Sequence, residues 1–284
     1  MRWRMKKRNE HCNGGIQMAT DVRELLSLNG KIALVTGGSQ NFGLEIATGL
    51  IESGAEVIIS SRDLAKAQVT AAELSSKLKA RVHGMSMDLL SEASIIDLYA
   101  DIRKKFGRID VLVNNAGGHS TKATGHLETE PLEAWRAYID INMTGTFLMI
   151  REYAKLMMPL KSGSIVNIAS IAAELGRDRR IYPQPMKPQP VMYAAAKAGM
   201  LGLTYDSAGY LSPHGIRVNA ISPGGFERGQ PREFVDAYSD RTMLGRMGRD
   251  GFDLKGAVVF LASEASAYIT AQNLFVDGGF CRFK

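Results

Sequence analysis

The sequence is poor in cysteine. Only Cys12 and Cys281 occur among 284 residues, near opposite ends of the chain, and they form neither a disulfide framework nor a metal-ligand pair. The five histidines are scattered without a pair at ligand spacing, so we predict no catalytic metal. No run of eighteen or more uncharged apolar residues occurs, so we predict no membrane-spanning helix. A reducing cytoplasm is the simplest setting for such a chain.

The chain has fewer acidic than basic residues, but most of the basic excess lies in a short N-terminal tail. The net charge is +6, yet residues 1–17 hold five of the 35 basic residues and one of the 29 acidic ones, which leaves 30 basic against 28 acidic residues elsewhere. This distribution argues against a nucleic-acid-binding surface. The tail also lacks the apolar segment of a secretory signal. We interpret residues 1–27 as an N-terminal extension, disordered at least to residue 17, with Met18 as an alternative start; a basic arm that binds an anionic surface is the other interpretation.

Short apolar runs alternate with helical patterns along the rest of the chain. The strand-like runs are KIALV, EVIIS, ARVHGMSMDL, IDVLV, GSIVNIAS, GIRVNAIS and NLFVDGG, and segments with helical apolar spacing separate them. Strands that alternate with helices of this length predict an α/β fold with a doubly wound, mostly parallel, seven-stranded sheet. No linker or change of composition divides residues 28–284, so we predict a single domain there.

One stretch interrupts this alternation. Residues 173–191, called the insert below, contain Pro183, Pro185, Pro188 and Pro190, a density that excludes helix and interior strand. The insert also carries a group of basic residues beside Asp178, namely Arg177, Arg179, Arg180 and Lys187. Two interpretations stay open: a solvated surface loop, or a lid over a substrate whose guanidinium groups meet a carboxylate or phosphate.

A tyrosine and a lysine follow the insert at helical spacing. Tyr193 and Lys197 in YAAAK lie four residues apart, so on a helix they share one face. A neighbouring positive charge favours the phenolate, which predicts a lowered tyrosine pKa and a group that exchanges a proton with an alcohol or carbonyl oxygen. Ser170, at the end of an apolar run, offers a hydroxyl for the same oxygen. Alone, such a pair is more often a solvated helix surface, so the chemistry depends on a hydride carrier.

A glycine-rich turn supplies the site for that carrier. TGGSQNFG, from Thr36 to Gly43, follows the first strand-like run and precedes a helical pattern. In this context the glycines let the backbone approach a pyrophosphate, and the helix N-terminus presents free N–H groups and positive dipole to it. The sequence therefore predicts a dinucleotide site.

Together these motifs resemble the classical short-chain dehydrogenase/reductase family over about residues 28–280. The match rests on TGGSQNFG, Asp88 after the third strand, NNAG at 114–117, Asn142, Ser170, YAAAK, and NAISPGG at 219–225. The resemblance implies a Rossmann fold and hydride transfer between NAD(H) or NADP(H) and an alcohol/carbonyl pair. It also implies a homotetramer assembled through the long helices after the fourth and fifth strands.

The resemblance assigns roles to individual residues. It makes Tyr193 the acid/base, Ser170 the group that orients substrate oxygen, and Asn142 part of a proton relay. Lys197 would hold the nicotinamide ribose and lower the tyrosine pKa. Asn114 and its neighbours would shape the floor under the adenosine half, and Asp88 would reach the adenine amine. The cofactor-binding residues implied in this way are Gly37, Ser39, Asn41, Phe42, Gly43, Ser61, Arg62, Asp88, Leu89, Asn115, Ala116, Gly117, Tyr193, Lys197, Pro223 and Gly224.

The chain departs from the family pattern in three places. Asn41 stands where the cofactor turn usually has its middle glycine, and Asn is the residue besides Gly that best tolerates positive φ. The spacing from Ser170 to Tyr193 is longer than is common in the family. GFERGQPREF follows Pro223-Gly224, where many relatives have a threonine that contacts the cofactor amide.

The end of the second strand bears on cofactor choice. An acidic residue there would accept hydrogen bonds from the ribose hydroxyls and repel a 2′-phosphate. Ser60 and Ser61 are neutral instead, and Arg62 follows with a guanidinium suited to a phosphate. Asp63 is placed to cap the next helix. We therefore predict NADP(H), with NAD(H) possible; in the alternative, Arg62 is an exposed residue indifferent to the cofactor.

The leading functional prediction is an NAD(P)-dependent oxidoreductase that interconverts an alcohol and a ketone on a polar, carbohydrate-like substrate. The long insert and ISPGG bear a weaker resemblance to sugar-modifying members of the family. The first alternative is a 3-oxoacyl-(acyl-carrier-protein) reductase. A cofactor-sensing regulator on an inactive scaffold is the second, against which Ser170, Tyr193 and Lys197 argue. His119 would line the substrate mouth, although a lone loop histidine is more often merely exposed.

Overall fold

The computed structural model describes residues 21–118 and 121–283. The N-terminal extension as far as residue 20, and His119 with its expected place at the substrate mouth, therefore lie outside the described residues. The described strands are β1 Ile32–Thr36, β2 Glu56–Ser61, β3 Val82–Ser86, β4 Val111–Asn114, β5 Gly163–Ile168, β6 Ile216–Pro223, β7 Phe226–Glu227, β8 Gly248–Arg249 and β9 Asn273–Val276. The α-helices are α1 Val22–Leu26, α2 Asn41–Glu52, α3 Leu64–Leu78, α4 Glu92–Phe106, α5 Leu132–Ile139, α6 Gly145–Met157, α7 Val191–Leu211, α8 Arg232–Ser239 and α9 Lys255–Ala262.

Seven of these strands form one parallel sheet in the order β3-β2-β1-β4-β5-β6-β9. The prediction of a doubly wound seven-stranded sheet in a single α/β domain is confirmed. The strands are apolar almost throughout because helices cover both faces, as Leu34, Val35 and Ile58 show with no exposed surface. The sheet order reverses between β1 and β4, and ligands of such sheets bind at the carboxyl ends of the strands beside that reversal.

Two apolar cores flank the sheet. Helices α2, α3 and α9 cover one face, with Ile46, Leu74 and Val258 in the core. Helices α4, α6 and α7 cover the other face, with Leu98 and Tyr153 among the buried side chains. Among the described residues, no helix is long and apolar enough to cross a membrane.

The helical region after Pro131 is interrupted where a functional residue lies. The sequence predicts one stretch running towards Met158, whereas the structure has a π-helical turn at Asp140–Thr144 between α5 and α6. Such turns insert one extra residue per turn and occur frequently at functional sites. The π-helical turn contains Asn142, whose side chain is buried.

The insert is packed rather than loosely solvated. Ile181 is 7% exposed in an apolar cluster with Phe234 and Val235 of α8. Asp178 accepts a hydrogen bond from Arg241 at 3.2 Å, just beyond the end of α8. These contacts show that part of the insert is packed against α8.

Candidate active site

The glycine-rich turn joins β1 to α2 at the carboxyl edge of the sheet. Two of its residues have positive φ, Gly37 at 66° and Asn41 at 49°. The expectation that Asn41 adopts the left-handed conformation of the usual glycine is therefore confirmed. At Gly43 an added Cβ would lie 2.0 Å from the Gly37 carbonyl oxygen, so no larger residue fits this turn.

The segment after β4 holds the turn in place. The Asn115 side-chain amide donates to the Thr36 carbonyl at 2.9 Å, and the Thr36 hydroxyl accepts from the backbone N–H groups of Asn115 and Ala116 at 3.0 and 2.9 Å. Asn114 donates to Asn167 of the neighbouring strand at 2.8 Å. Asn114 and Asn115 thus position the backbone around a ligand, with their amide groups engaged by protein.

Three buried polar atoms near this edge have no hydrogen-bond partner among the described residues. They are the hydroxyl oxygens of Ser39 in the turn and Ser60 near the end of β2, and the side-chain oxygen of Asn114 at the end of β4. Buried polar groups are almost always hydrogen-bonded, so such atoms are suited to a polar ligand. The glycine-rich turn is also so tight at Gly43 that no Cβ could be accommodated there. These three unpaired polar atoms and the tight turn together fit a nicotinamide dinucleotide.

The predicted tyrosine, serine and lysine come together. Tyr193 lies on the first turn of α7, and the side chain of Ser170, beyond β5, is close enough to its phenol to act on the pKa of Tyr193. The Ser170 hydroxyl also accepts the backbone N–H of Ala172 at 3.1 Å, which fixes its orientation. Lys197, one turn along α7, is buried, and its amine lies 5.9 Å from the centroid of the Tyr193 ring.

Asn142 and Lys197 flank the same short segment. The Asn142 side-chain amide donates to the carbonyls of Gly118 at 3.0 Å and Tyr138 at 3.1 Å. A Cβ added to Gly117 would lie 2.6 Å from the Asn142 side-chain oxygen and 4.0 Å from the Lys197 amine. Glycine at 117 therefore allows these two polar groups to approach each other beside Tyr193.

The electrostatics of the tyrosine differ from the sequence prediction. Burial raises the pKa of Tyr193, and the side chain of Ser170 and the charge of Arg177 offset this only in part. The predicted lowering by Lys197 is wrong for this geometry, because the lysine amine instead donates to the Ile168 carbonyl at 2.6 Å. Burial lowers the pKa of Lys197 to about 8. The phenol is therefore protonated at neutral pH.

The end of β2 carries one arrangement that the sequence analysis missed. Arg62 is exposed, and Asp63 caps α3 by accepting the backbone N–H of Lys66 at 3.0 Å, as predicted. The Lys66 ammonium reaches back to the side-chain oxygen of Gln40 in the glycine-rich turn. One cation, Lys66, thus lies beside the turn, and Arg62 lies exposed just after the end of β2. The spacing of Lys66, three residues after the cap, was the available signal.

The other predicted cofactor residues lie around the same edge. An Asp88 carboxylate oxygen accepts the Leu90 N–H at 3.0 Å, and the buried Leu89 packs against Gly145. Gly224, next to Pro223, donates to the Val276 carbonyl at 3.0 Å. Ser61 accepts the Asp63 N–H at 3.2 Å.

Phe42 of the glycine-rich turn packs against the GFERGQPREF segment, which follows Pro223-Gly224 where many relatives have a threonine. Its ring packs edge-on against Phe226 at 4.7 Å, and the Arg228 guanidinium stacks over it at 4.0 Å. Asp250 pairs with Arg228 at 2.6 Å. The sequence analysis did not identify Arg228, because its partners are far away along the chain.

Arg177 of the insert also reaches the site. Its guanidinium carbon lies 5.9 Å from the centroid of the Tyr193 ring, and it donates to the Pro190 carbonyl at 3.1 Å. The predicted residues therefore cluster at one edge of the sheet, with this arginine above them.

Within residues 21–118 and 121–283, no group of three His, Cys, Asp or Glu side chains lies close enough to hold a metal ion.

Comparisons with known proteins agree with this geometry. Residues 37–281 match the family model described as enoyl-(acyl carrier protein) reductase. The chain is 36% identical over 265 residues to the 5-keto-D-gluconate 5-reductase of Escherichia coli K12, covering 91% of this chain and 98% of that protein. It is 34% identical over 258 residues to the 3-oxoacyl-(acyl-carrier-protein) reductase of Aquifex aeolicus, covering 89% and 98%.

A solved structure shares both the fold and the sequence similarity. It is a gluconate 5-dehydrogenase from Burkholderia cenocepacia in complex with NADP and tartrate, 31% identical, with a TM-score of 0.82, covering 92% of this chain and 98% of that one. The family match covers most of the chain and includes the residues that surround Tyr193. The chain belongs to the classical short-chain dehydrogenase/reductase family and is an NAD(P)-dependent oxidoreductase of alcohol and carbonyl groups.

Proposed function

We propose that this chain interconverts a polar, carbohydrate-like alcohol and its ketone, with Tyr193 as the acid/base. The observation that carries the proposal is that Tyr193, Ser170 and Lys197 come together, with the Lys197 amine 5.9 Å from the centroid of the Tyr193 ring and Ser170 close enough to act on its phenol. The raised pKa of Tyr193 keeps the phenol protonated at neutral pH, which suits donation of a proton to a carbonyl oxygen. In the reductive direction Tyr193 would therefore act as the general acid.

The roles of the neighbouring residues follow from their contacts. Ser170 would hold the substrate carbonyl oxygen within reach of the phenol. Lys197 would hold the nicotinamide ribose, and Asn142 would keep the polar path beside Lys197 ordered through its anchors on Gly118 and Tyr138. When bound, the reduced nicotinamide supplies the hydride.

We propose NADP(H) as the preferred cofactor. Lys66 places a positive charge beside the glycine-rich turn, Arg62 follows the end of β2, and no acidic residue ends that strand, where Ser60 and Ser61 stand. The Burkholderia cenocepacia relative was solved with NADP, which supports the same preference. The cofactor residues would be those that form the turn, the end of β2, the Asp88-Leu89 pair, the 115–117 segment and Pro223-Gly224.

The relatives support a sugar-acid or polyol substrate. Two of them are named for 5-keto-D-gluconate and gluconate. The alternative, reduction of a 3-oxoacyl group on acyl carrier protein, is supported by the Aquifex aeolicus relative.

We further propose that residues 28–284 act as one domain within a homotetramer. We also propose that the protein works in the cytoplasm, for which its scarcity of cysteine is the support.

A substrate panel tests the proposal. Purified protein is mixed with NADPH or NADH and with sugar acids, neutral ketoses, polyols or 3-oxoacyl thioesters, and absorbance of the reduced nicotinamide is followed. We expect turnover of the carbohydrate-like ketones with NADPH. Turnover confined to acyl thioesters would favour the alternative, and cofactor binding without any turnover would favour a regulator.

Tyr193→Phe tests the mechanism within that panel. The variant keeps the ring packing but loses the exchangeable proton, so we expect turnover to fall by about 10²–10⁴-fold with cofactor affinity unchanged. Tyr205→Phe, on the exposed side of the same helix, is the matched control and should behave as wild type. Wild-type turnover by Tyr193→Phe would remove the proposed acid/base.

A further inference from the structure

The insert is held as a fixed cover above the catalytic tyrosine. One side rests on α8, where the rings of Tyr182 and Phe234 lie 5.0 Å apart and Asp178 contacts Arg241 at 3.2 Å. The other side contacts the 121–130 segment, where Arg179 donates to the Gly125 carbonyl at 3.3 Å. Side chains of the insert therefore have defined positions relative to Tyr193.

Arg177 is the insert cation that points into the protein. Arg179, Arg180 and Lys187 are exposed, and Arg180 is paired with Asp178 at 2.8 Å. Arg177 is only partly exposed and makes one hydrogen bond, to the Pro190 carbonyl at 3.1 Å. Among the described residues, no carboxylate lies within ion-pair distance of its guanidinium.

The surroundings of Arg177 are aromatic rather than acidic. Tyr138, Tyr182 and Tyr193 and the positive charge of Arg179 are the groups that act on it electrostatically, and burial lowers its pKa. Glu130, the nearby acid that acts on Tyr138, is engaged by the backbone N–H groups of Thr124 and Gly125 at 3.1 and 2.7 Å. A partly buried guanidinium without a counter-charge favours an incoming anion.

The geometry selects the kind of anion. A guanidinium has five N–H donors in a planar fork, of which the Pro190 carbonyl takes one, and the fork matches a carboxylate in two parallel hydrogen bonds. A phosphate with two negative charges would need further cations beside Arg177 to balance its charge. Arg179 and Arg180 are exposed, however, and they contact the Gly125 carbonyl and Asp178 instead. Since Arg177 lies 5.9 Å from the Tyr193 ring, its anion would belong to the molecule whose carbonyl meets the phenol.

We propose that Arg177 is the substrate-binding residue that recognises a carboxylate, so that the substrates are hydroxy acids and their keto acids. This inference rests on the proposed function of Tyr193 as the acid/base. It narrows the substrate class from carbohydrate-like ketones in general to those that carry a carboxylate. It also assigns the long insert a purpose: to bring a cation over the reaction site.

Matched ketones that differ only in charge provide the test. The full chain is assayed with NADPH against 5-keto-D-gluconate, against the ketose in which a hydroxymethyl group replaces the carboxylate, and against a ketose phosphate. Variants are Arg177→Gln and Arg177→Lys, with Arg180→Gln as the control from the same insert. Thermal unfolding of each variant checks that the fold is kept.

We expect wild type to prefer the keto acid. Arg177→Gln should lower kcat/KM for the keto acid by about 10–100-fold, mainly through KM, because hydrogen bonds to charged groups contribute about that much. Activity on the neutral ketose should fall much less than activity on the keto acid, because only the influence of the Arg177 charge on Tyr193 is lost there. Arg177→Lys should be intermediate since it keeps the charge but loses the fork, and Arg180→Gln should match wild type. Tartrate should inhibit turnover of the neutral ketose in wild type and much less in Arg177→Gln.

Several outcomes would overturn the proposal, and they separate it from the proposed function. Turnover of the neutral ketose but not of the keto acid, or equal loss of both substrates in Arg177→Gln, contradicts carboxylate recognition and leaves the oxidoreductase in place. A ketose phosphate preferred by wild type and lost in Arg177→Gln reassigns the arginine to phosphate. No turnover of any ketone contradicts both proposals.

Discussion

At the scale of single residues, the buried Lys197 amine makes stability depend on pH. Burial lowers its pKa to about 8 from the ordinary value of 10.5, so between these values the folded chain binds fewer protons than the unfolded chain. Stability rises with pH wherever the unfolded state binds more protons. We therefore expect the free energy of unfolding to increase across this window in wild type relative to Lys197→Met. Urea unfolding of both proteins at a series of pH values measures this change. If the difference between their free energies of unfolding stays constant with pH, folding does not lower the pKa of Lys197.

We also expect cofactor choice to depend on two single residues, Arg62 and Lys66. Each charge should help to hold a 2′-phosphate, so Arg62→Ala and Lys66→Ala should raise the KM for NADPH by about tenfold or more, and that for NADH far less. Lys77→Ala, on the last turn of the same helix, is the control. Steady-state kinetics with both cofactors measures the effect. Equal shifts for NADPH and NADH, or a wild-type preference for NADH, would contradict the assignment.

At the scale of secondary-structure elements, Glu45 fastens α2 to the start of α9. Its side chain is 3% exposed and accepts the backbone N–H groups of Gly251 at 3.0 Å and Leu254 at 2.7 Å. Glu45→Ala leaves two N–H groups without a partner, so we expect a loss of about 2 kcal/mol or more in the free energy of unfolding.

Glu52 is the matched control for that prediction. It lies on the same helix and pairs with Lys255 near the start of α9, but its side chain is 46% exposed. Exposed ion pairs contribute about 0–1 kcal/mol, so Glu52→Ala should cost much less than Glu45→Ala in chemical denaturation. Similar costs for the two variants would mean that burial of Glu45 does not determine its contribution.

At the scale of the whole molecule, exposed apolar side chains mark the helices expected to form subunit contacts. Phe147 on α6 is 45% exposed, and Tyr205 and Tyr210 on α7 are 42% and 73% exposed. If these faces bind other copies of the chain, Phe147→Glu should lower the mass in light scattering from four times 31.0 kDa, because it would place a charge in an apolar contact. Val69→Glu, on the exposed side of α3, should keep the wild-type mass. A monomeric wild type at micromolar concentration would contradict the tetramer.

Much of this molecule follows from local patterns in the chain. The period of apolar residues predicted the seven sheet strands and the helices between them, because each element is stabilised by burial of the same residues that define its period. The ends of α4 follow from local signals of this kind, since Ser91 caps the helix and Gly107 ends it in the left-handed conformation. Positive φ at Asn41 was likewise predictable, since the turn demands it and few residues tolerate it.

Other features depend on contacts between residues far apart in the chain. The sequence alone determined the fold class, the glycine-rich turn, and the identity of Ser170, Tyr193 and Lys197 as the candidate chemical groups. Only the tertiary structure decided that the Lys197 amine turns to the Ile168 carbonyl, that Lys66 reaches Gln40, and that Arg177 lies over Tyr193. The physical reason is that spacing along a helix or strand specifies which side chains share a face, whereas burial and the charges that surround a group are set by packing of distant segments.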